Sequence, residues 1–374
     1  MDGRDMSSSS AATDRIKELD VLRGIAILAV VGLHISWEFL RTAPLDQISG
    51  KALAAIHLST GFGVPLFVML SGVGLALRYT RPMSWSDYGS FMYRRASRLL
   101  PAYVAWSMLT ALRADPALLW PPGRLASLFL TGNAGPQFYF IPLIFQLYLL
   151  WPLLRPAAVA AQRTPLRAMV VAVVGAAFSL LWWRLSARGV VGSGTLALPA
   201  FFLLYMAAGL ALTPHLERLR SAGRTCTVAA AVLAVTTAAL MLQDFLGMVS
   251  PDAGMMARMI AATIFRPLPM AYIYATIAFS VFLAFATGQR AEGRPATALA
   301  ELGRHSYGIF LVHLLVLEAV VGRILEPPAP EHFTNGWWVL RALVTSVLCL
   351  GLSYGVTRVL SGRRGLRILV GANA

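Results

Sequence analysis

Residues 19–38 read Leu19-Asp20-Val21-Leu22-Arg23-Gly24-Ile25-Ala26-Ile27-Leu28-Ala29-Val30-Val31-Gly32-Leu33-His34-Ile35-Ser36-Trp37-Glu38. The stretch is apolar enough to cross a membrane as a helix, yet two ionisable side chains, Arg23 and His34, lie inside it. Eleven helical positions return to within roughly 20° of one direction, about 16 Å further along the axis, and Asp20 and Glu38 extend the same stripe. Ionisable groups inside a bilayer cost at least a few kcal/mol each unless they face a polar cavity or a partner. The stripe therefore predicts a site within the membrane.

The rest of the chain has the composition of a polytopic membrane protein. Of its 374 residues, 57% are hydrophobic and 13% are charged. Apolar runs of about 20 residues recur from end to end. Because backbone in lipid must satisfy its hydrogen bonds within each segment, and no barrel-like alternation is visible, the sequence predicts an all-α bundle. Ten spans are predicted, at residues 19–40, 53–77, 97–114, 137–160, 168–187, 196–213, 225–246, 259–287, 303–322 and 337–360.

The distribution of positive charge predicts the topology. With the N-terminus inside, 22 of the 32 Lys and Arg residues fall on cytoplasmic segments and helix ends, and 10 fall on outer ones. We therefore expect a single transmembrane domain at 19–362, between a polar cytoplasmic tail at 1–18 and a basic cytoplasmic tail at 363–374. The net charge of +15 is explained by topology and does not indicate binding to nucleic acid. The first apolar run is too long for a cleavable signal peptide and contains Arg23, so it is interpreted as a signal anchor.

His34 and Glu38 form the candidate catalytic pair. They are one helical turn apart, so the carboxylate can accept a proton from one imidazole nitrogen and leave the other nitrogen as a base. General-base catalysis on a hydroxyl needs that arrangement. The alternative is a structural histidine that bonds a neighbouring carbonyl. A metal site is not expected, because no other cluster of His or carboxylate residues has the spacing of metal ligands.

Three arginines are candidates for binding an anionic ligand. Arg95 and Arg98 lie at i and i+3 at the predicted cytoplasmic start of the third span, so they point the same way. Two guanidinium groups on one helix face suit phosphate or pyrophosphate. Arg23 is the third candidate, on the stripe of the first span. Ordinary cytoplasmic anchoring of the pair and snorkelling of Arg23 are the alternatives.

Other segments give weaker signals. The run 64–74 combines a proline kink with small residues that allow close helix contact. Tyr139, at the start of the fourth span, is a candidate substrate-binding residue, and an interfacial aromatic belt is the alternative. His313, near the middle of the ninth span, is a second substrate-binding candidate, and a structural hydrogen bond explains it equally well. His57 and His215 lie near helix ends and carry little signal.

Four of these segments, in this order along the chain, resemble the acyltransferase-3 family of bacterial integral membrane acyltransferases. They are Leu19-Asp20-Val21-Leu22-Arg23-Gly24-Ile25-Ala26 followed by His34, Pro65-Leu66-Phe67-Val68-Met69-Leu70-Ser71-Gly72, Arg95-Ala96-Ser97-Arg98-Leu99-Leu100-Pro101 and Ser306-Tyr307-Gly308-Ile309-Phe310-Leu311-Val312-His313. The resemblance implies a catalytic His34 and a donor side formed by Arg23, Arg95 and Arg98. Where many relatives carry a Trp before the fourth span, this chain has Phe138-Tyr139-Phe140, which leaves the acceptor contacts there open.

The resemblance also implies a reaction. We expect a multi-pass O-acyltransferase of the bacterial inner membrane that moves an acyl group, commonly acetyl, from cytoplasmic acyl-coenzyme A to a hydroxyl of a cell-surface or exported carbohydrate. The expected partners are the acyl-coenzyme A donor, the carbohydrate acceptor and the lipid bilayer, with no metal. A transporter or flippase for a glycan or lipid-linked precursor is an alternative, although paired half-helix breaks are not evident. An acyltransferase that tailors a secondary-metabolite sugar would share the mechanism and differ only in its acceptor.

Overall fold

The computed structural model describes residues 16–40, 45–79, 81, 83–116, 121–190, 198–221, 224–249, 266–288, 294–324 and 335–371. Within these ranges the regular structure is helical, with no strand, so the all-α class is confirmed. Fifteen α-helices are present: α1 Lys17–Leu40, α2 Ile48–Thr60, α3 Gly63–Arg78, α4 Trp85–Ala114, α5 Pro122–Thr131, α6 Phe140–Leu149, α7 Trp151–Arg163, α8 Pro165–Ala187, α9 Leu198–Leu212, α10 Leu216–Arg220, α11 Arg224–Met248, α12 Pro267–Gly288, α13 Arg294–Arg304, α14 Ser306–Ile324 and α15 Asn335–Gly362. Short 3-10 turns follow α9 at Thr213–His215 and α15 at Arg364–Val370.

Seven helical segments among these residues are long and apolar enough to cross a membrane, so the chain is a multi-pass membrane protein. They are Lys17–Leu40, Ile48–Arg78, Pro165–Ala187, Leu198–Leu219, Arg224–Met248, Pro267–Ala286 and Val339–Gly362. These segments correspond to the first, second, fifth, sixth, seventh, eighth and tenth predicted spans. Residues 259–265 of the eighth predicted span, and residues 1–15 and 372–374 of the two predicted tails, lie outside the described residues. The N-in and C-in orientation stays a prediction.

The fourth predicted span is bent. Helices α6 and α7 meet at 71°, so they form an eighth span only if the pair is one broken crossing. The break falls at Leu150 and is followed by Pro152 in the first turn of α7. Proline cannot donate the backbone hydrogen bond that would continue α6, and it favours the first turn of a new helix. The fourth predicted span, 137–160, therefore consists of two helices, and its crossing of the membrane stays a prediction.

The third and ninth predicted spans are also helices, but they differ from a simple crossing. Helix α4 is 30 residues long and begins at Trp85, before the predicted start of the third span at residue 97, so Arg94 and Arg95 also lie within the helix. A capping box fixes this start, since the Ser84 hydroxyl accepts from the Asp87 N–H and the Asp87 carboxylate accepts from the Ser84 N–H. The ninth predicted span, 303–322, begins in the last turn of α13 and continues in α14 after a break at His305.

Glycines bring α1 and α13 into near backbone contact. A Cβ atom on Gly24 would lie 2.0 Å from the carbonyl oxygen of Leu299, and one on Gly303 would lie 1.9 Å from the carbonyl oxygen of Asp20. Only residues without a side chain allow helices to cross at this distance. The crossing places the first turns of α1, which carry Arg23, beside the C-terminal end of α13.

A similar crossing joins α3 and α9. A Cβ atom on Gly209 would lie 2.1 Å from the carbonyl oxygen of Met69, and one on Gly72 would lie 2.6 Å from that of Met206. The close helix contact expected from the small residues of 64–74 is therefore present. It fixes the C-terminal half of α3 against the bundle.

The α1–α13 crossing predicts a stability effect. In Gly303→Ala the added methyl group would meet backbone that cannot move independently, so we expect a loss of about 1–3 kcal/mol of stability. The measurement is the thermal midpoint of the detergent-solubilised protein. Gly351→Ala in α15 is the matched control, because a Cβ atom there meets nothing within 4 Å. Equal midpoints for the two variants would contradict the tight crossing.

Candidate functional site

A cavity of about 570 Å³ lies among α1, α3, α4, α6 and the α13–α14 junction. Its lining includes one carboxylate, Asp20, and five arginines, Arg23, Arg78, Arg95, Arg98 and Arg304. All five arginines belong to the side that the charge pattern predicts to be cytoplasmic. The structure therefore brings together the three arginines predicted to bind an anion. We call this space the arginine cavity.

Two of the arginines that line the cavity, Arg78 and Arg304, were not predicted from the sequence to bind a ligand. Arg78 ends α3 and Arg304 ends α13, where cations commonly complement a helix C-terminus. From the sequence alone, such residues are indistinguishable from ordinary cytoplasmic anchors. The packing of α13 against α1 and of α3 against α1 and α9 brings them to the cavity.

Carboxylates hold two of the arginines in place. The Nη1 atom of Arg23 donates to Oδ1 of Asp20 at 2.7 Å, and this carboxylate is buried. Arg304 donates to the carboxylate of Glu301, which also accepts from the Tyr354 hydroxyl at 3.2 Å. Burial acts to raise the pKa of Glu301, but the hydrogen bond and charge of Arg304 outweigh it and hold that pKa below its usual range. The Glu301 carboxylate therefore stays ionised and keeps Arg304 at the cavity.

Aromatic rings and a backbone carbonyl hold Arg95 and Arg98. The guanidinium carbon of Arg95 lies 5.6 Å from the ring centre of Phe91 and 5.0 Å from that of Tyr148, at distances typical of cation–π contacts. The Nε atom of Arg98 donates to the carbonyl oxygen of Gly371 at 3.0 Å. Neither contact neutralises the charge, so both guanidinium groups keep their attraction for an anion.

Three phenylalanines that line the arginine cavity pack against one another. The ring centres of Phe67 and Phe140 are 6.1 Å apart, and those of Phe140 and Phe310 are 5.3 Å apart. All three rings line the cavity. On the other side of this group, the ring of Phe310 lies 6.1 Å from that of His313. From the end of α13 into α14, the cavity residue Arg304 is thus followed by Phe310 and then by His313.

His34 and His313 are in contact, with ring centres 5.2 Å apart. His313 is fully buried, and its Nδ1 atom lies 2.8 Å from the carbonyl oxygen of Phe310. Because a carbonyl only accepts, Nδ1 carries the hydrogen and Nε2 presents a lone pair. That Nε2 atom is buried and has no hydrogen-bond partner among the residues that the structure describes. The site therefore contains a buried proton acceptor beside the predicted catalytic histidine.

His57, which carries little signal in the sequence, packs against the same part of α1. Its Nδ1 atom lies 3.2 Å from the carbonyl oxygen of Leu33 and 3.3 Å from Oγ of Ser36, and its ring lies 5.4 Å from that of Trp37. These contacts place it beside the turn that carries His34. The part of the chain that the structure describes contains no group of three His, Cys, Asp or Glu residues arranged to hold a metal ion.

The remaining two predicted site residues are Glu38 and Tyr139, and their roles stay predictions. Glu38 is partly buried on α1, one turn beyond His34, and its role in orienting that ring stays a prediction. Tyr139 immediately precedes α6 and is not among the residues that line the arginine cavity, whereas its neighbour Phe140 is. Within the described residues, the structure thus assembles two groups, the cavity with Arg23, Arg95 and Arg98 and the contact of His34 with His313.

A basic cavity next to buried imidazoles is the kind of site that suits group transfer from an anionic donor. The sequence model of the acyltransferase-3 family, described as an acyltransferase domain, matches residues 16–357, nearly the whole chain. The chain therefore belongs to the acyltransferase-3 family and is a membrane acyltransferase. Comparison with curated proteins and with solved structures finds no match.

Proposed function

We propose that this acyltransferase takes an acyl group, specifically acetyl, from acyl-coenzyme A and transfers it to a hydroxyl of a carbohydrate. One observation carries the proposal. The arginine cavity lies at the start of α1 and α14, and the contact of His34 with His313 lies further along both helices, with Phe310 both lining the cavity and contacting His313. A donor that is anionic at one end and carries a thioester at the other fits this order.

The arginine cavity is the proposed donor site. Coenzyme A carries a pyrophosphate and a 3′-phosphate, and guanidinium groups are the side chains best suited to bind such oxygens. Arg23, Arg95 and Arg98 would bind the donor, and Arg78 and Arg304 would add to the positive field that attracts it. Cytoplasmic supply of acyl-coenzyme A is consistent with the predicted N-in orientation.

His34 is the proposed catalytic base. Its imidazole would take the proton of the acceptor hydroxyl as that oxygen attacks the thioester carbonyl. The new carbon–oxygen bond forms, the carbon–sulfur bond breaks, and the proton passes from His34 to the departing thiolate. Glu38 would orient the ring of His34. The lone pair on Nε2 of His313 could accept a hydrogen bond from the acceptor, which is the substrate-binding role proposed for it.

The acceptor and its membrane rest on the resemblance to the family. We propose a cell-surface or exported carbohydrate, such as a polysaccharide or a lipopolysaccharide precursor, reached from the outer side of the bacterial inner membrane. Tyr139 would contribute on the acceptor side. The acyl group would then have to pass the phenylalanines between the cavity and the histidines.

Mass spectrometry of envelope glycans tests the proposal. We expect glycans from a strain without the gene to lack a mass increment of one acyl group, which the wild-type gene restores. The purified protein in liposomes should also consume acetyl-coenzyme A in the presence of the glycan. Unchanged glycans, or movement of a glycan across the membrane without acyl-coenzyme A, would refute the proposal and favour a transporter.

A further inference from the structure

The C-terminal segment 364–371 is docked onto the catalytic domain. The sequence predicted a basic tail at 363–374, but residues Arg364–Val370 form a 3-10 turn that packs beside α4. The indole nitrogen of Trp106 donates to the carbonyl oxygen of Leu369 at 2.8 Å, and Nε of Arg98 donates to that of Gly371 at 3.0 Å. Gly371 therefore contacts Arg98, which lines the arginine cavity.

Gly371, at the end of this segment, cannot be replaced by another residue unless its surroundings move. Gly371 has a φ angle of +64°, in the left-handed region that most residues avoid. A Cβ atom on it would lie 2.5 Å from Cδ1 of Tyr307 and 3.2 Å from the carbonyl oxygen of Arg98. Tyr307 also lines the cavity, and its hydroxyl donates to the carbonyl oxygen of Leu99 at 2.6 Å. The chain thus needs a glycine where it meets the cavity wall.

We propose that Gly371 is a positioning residue for the donor site, whose carbonyl oxygen fixes the guanidinium of Arg98 through Nε. An arginine has five N–H donors, and this contact occupies the single one on Nε. The four N–H groups on the terminal nitrogens are left to form the bidentate fork that matches a phosphate. Holding the guanidinium plane before the donor arrives reduces the ordering that binding would otherwise require. The inference rests on the proposed function, because it assumes that Arg98 binds a phosphate of the donor.

The test compares four full-length proteins with the wild type, Gly371→Ala, Gly365→Ala, Arg98→Ala and the double variant of Gly371 and Arg98. Gly365 is the matched control, because it lies in the same segment and a Cβ atom there meets nothing within 4 Å. Affinity for coenzyme A is measured by calorimetry on detergent-purified protein, and the thermal midpoint is measured in parallel. We expect Gly371→Ala to bind coenzyme A about tenfold more weakly, as for loss of one well-placed charge-assisted contact. Gly365→Ala should bind like the wild type.

Coupling between the two sites distinguishes positioning from a structural role. If Gly371 acts through Arg98, its substitution should have no further effect on affinity once Arg98 is alanine. Wild-type affinity in Gly371→Ala, or equal losses with and without Arg98, would overturn the inference. The inference would also be overturned if the thermal midpoint of Gly371→Ala fell so far that unfolding of the protein explained its whole loss of coenzyme A binding. Absence of coenzyme A binding by the wild type would instead refute the proposed donor, and this inference with it.

Discussion

Replacing His34 by alanine is expected to abolish acyl transfer while leaving coenzyme A binding intact. The imidazole is the proposed acceptor of the hydroxyl proton, and general-base catalysis contributes about 10²–10⁴ in rate. His34 is not among the residues that line the arginine cavity, so the affinity for coenzyme A should change little. The measurements are transfer of a labelled acetyl group to the glycan and calorimetric binding of coenzyme A.

A matched histidine control keeps this result interpretable. His215 lies in the 3-10 turn after α9, contacts Arg218 and is not among the residues that line the arginine cavity. His215→Ala should therefore retain full transfer activity. Full activity in a folded and inserted His34→Ala protein would refute the assignment of the base. If His313→Ala alone abolished transfer, the base would be His313, whose Nε2 atom already presents a lone pair.

The membrane class and much of the site were predictable from the sequence because both depend on what lipid excludes. Apolar runs of span length must form helices, and a cation inside such a run needs a polar surface. That argument selected Arg23, which the structure places at the arginine cavity. Helical periodicity selected Arg95 and Arg98 as a pair, and both line the same cavity.

The remaining features depend on contacts between distant segments, which a local pattern does not encode. His57 looks like an ordinary residue near a helix end until α2 packs against the turn of α1 that carries His34. From the sequence, the C-terminal segment is predicted to be a basic tail. In the structure its backbone carbonyls accept hydrogen bonds from Trp106 and Arg98. Hydropathy also treats each apolar run as one straight crossing, so it missed the bend between α6 and α7.

Replacing Arg95 and Arg98 together by glutamine is expected to weaken binding of coenzyme A by about a hundredfold or more. Hydrogen bonds to charged groups each contribute about 1.5–3 kcal/mol, and 1.4 kcal/mol corresponds to a factor of ten in affinity. Glutamine keeps a polar side chain of similar reach but removes the charge. The loss should appear in the dissociation constant of coenzyme A and in the KM for the acyl donor. The rate at saturating donor should fall less, because His34 is unchanged.

The control for this pair lies on the same helix. Arg94 is exposed on α4 and is not among the residues that line the arginine cavity, so Arg94→Gln removes one positive charge from the same surface without touching the donor site. If the pair acts only through general attraction or membrane anchoring, Arg94→Gln should weaken binding as much as either single substitution in the pair. If the pair contacts the donor, Arg94→Gln should bind coenzyme A like the wild type. Unchanged affinity in the double variant would make Arg95 and Arg98 markers of topology alone and would leave Arg23 as the remaining candidate for binding the donor.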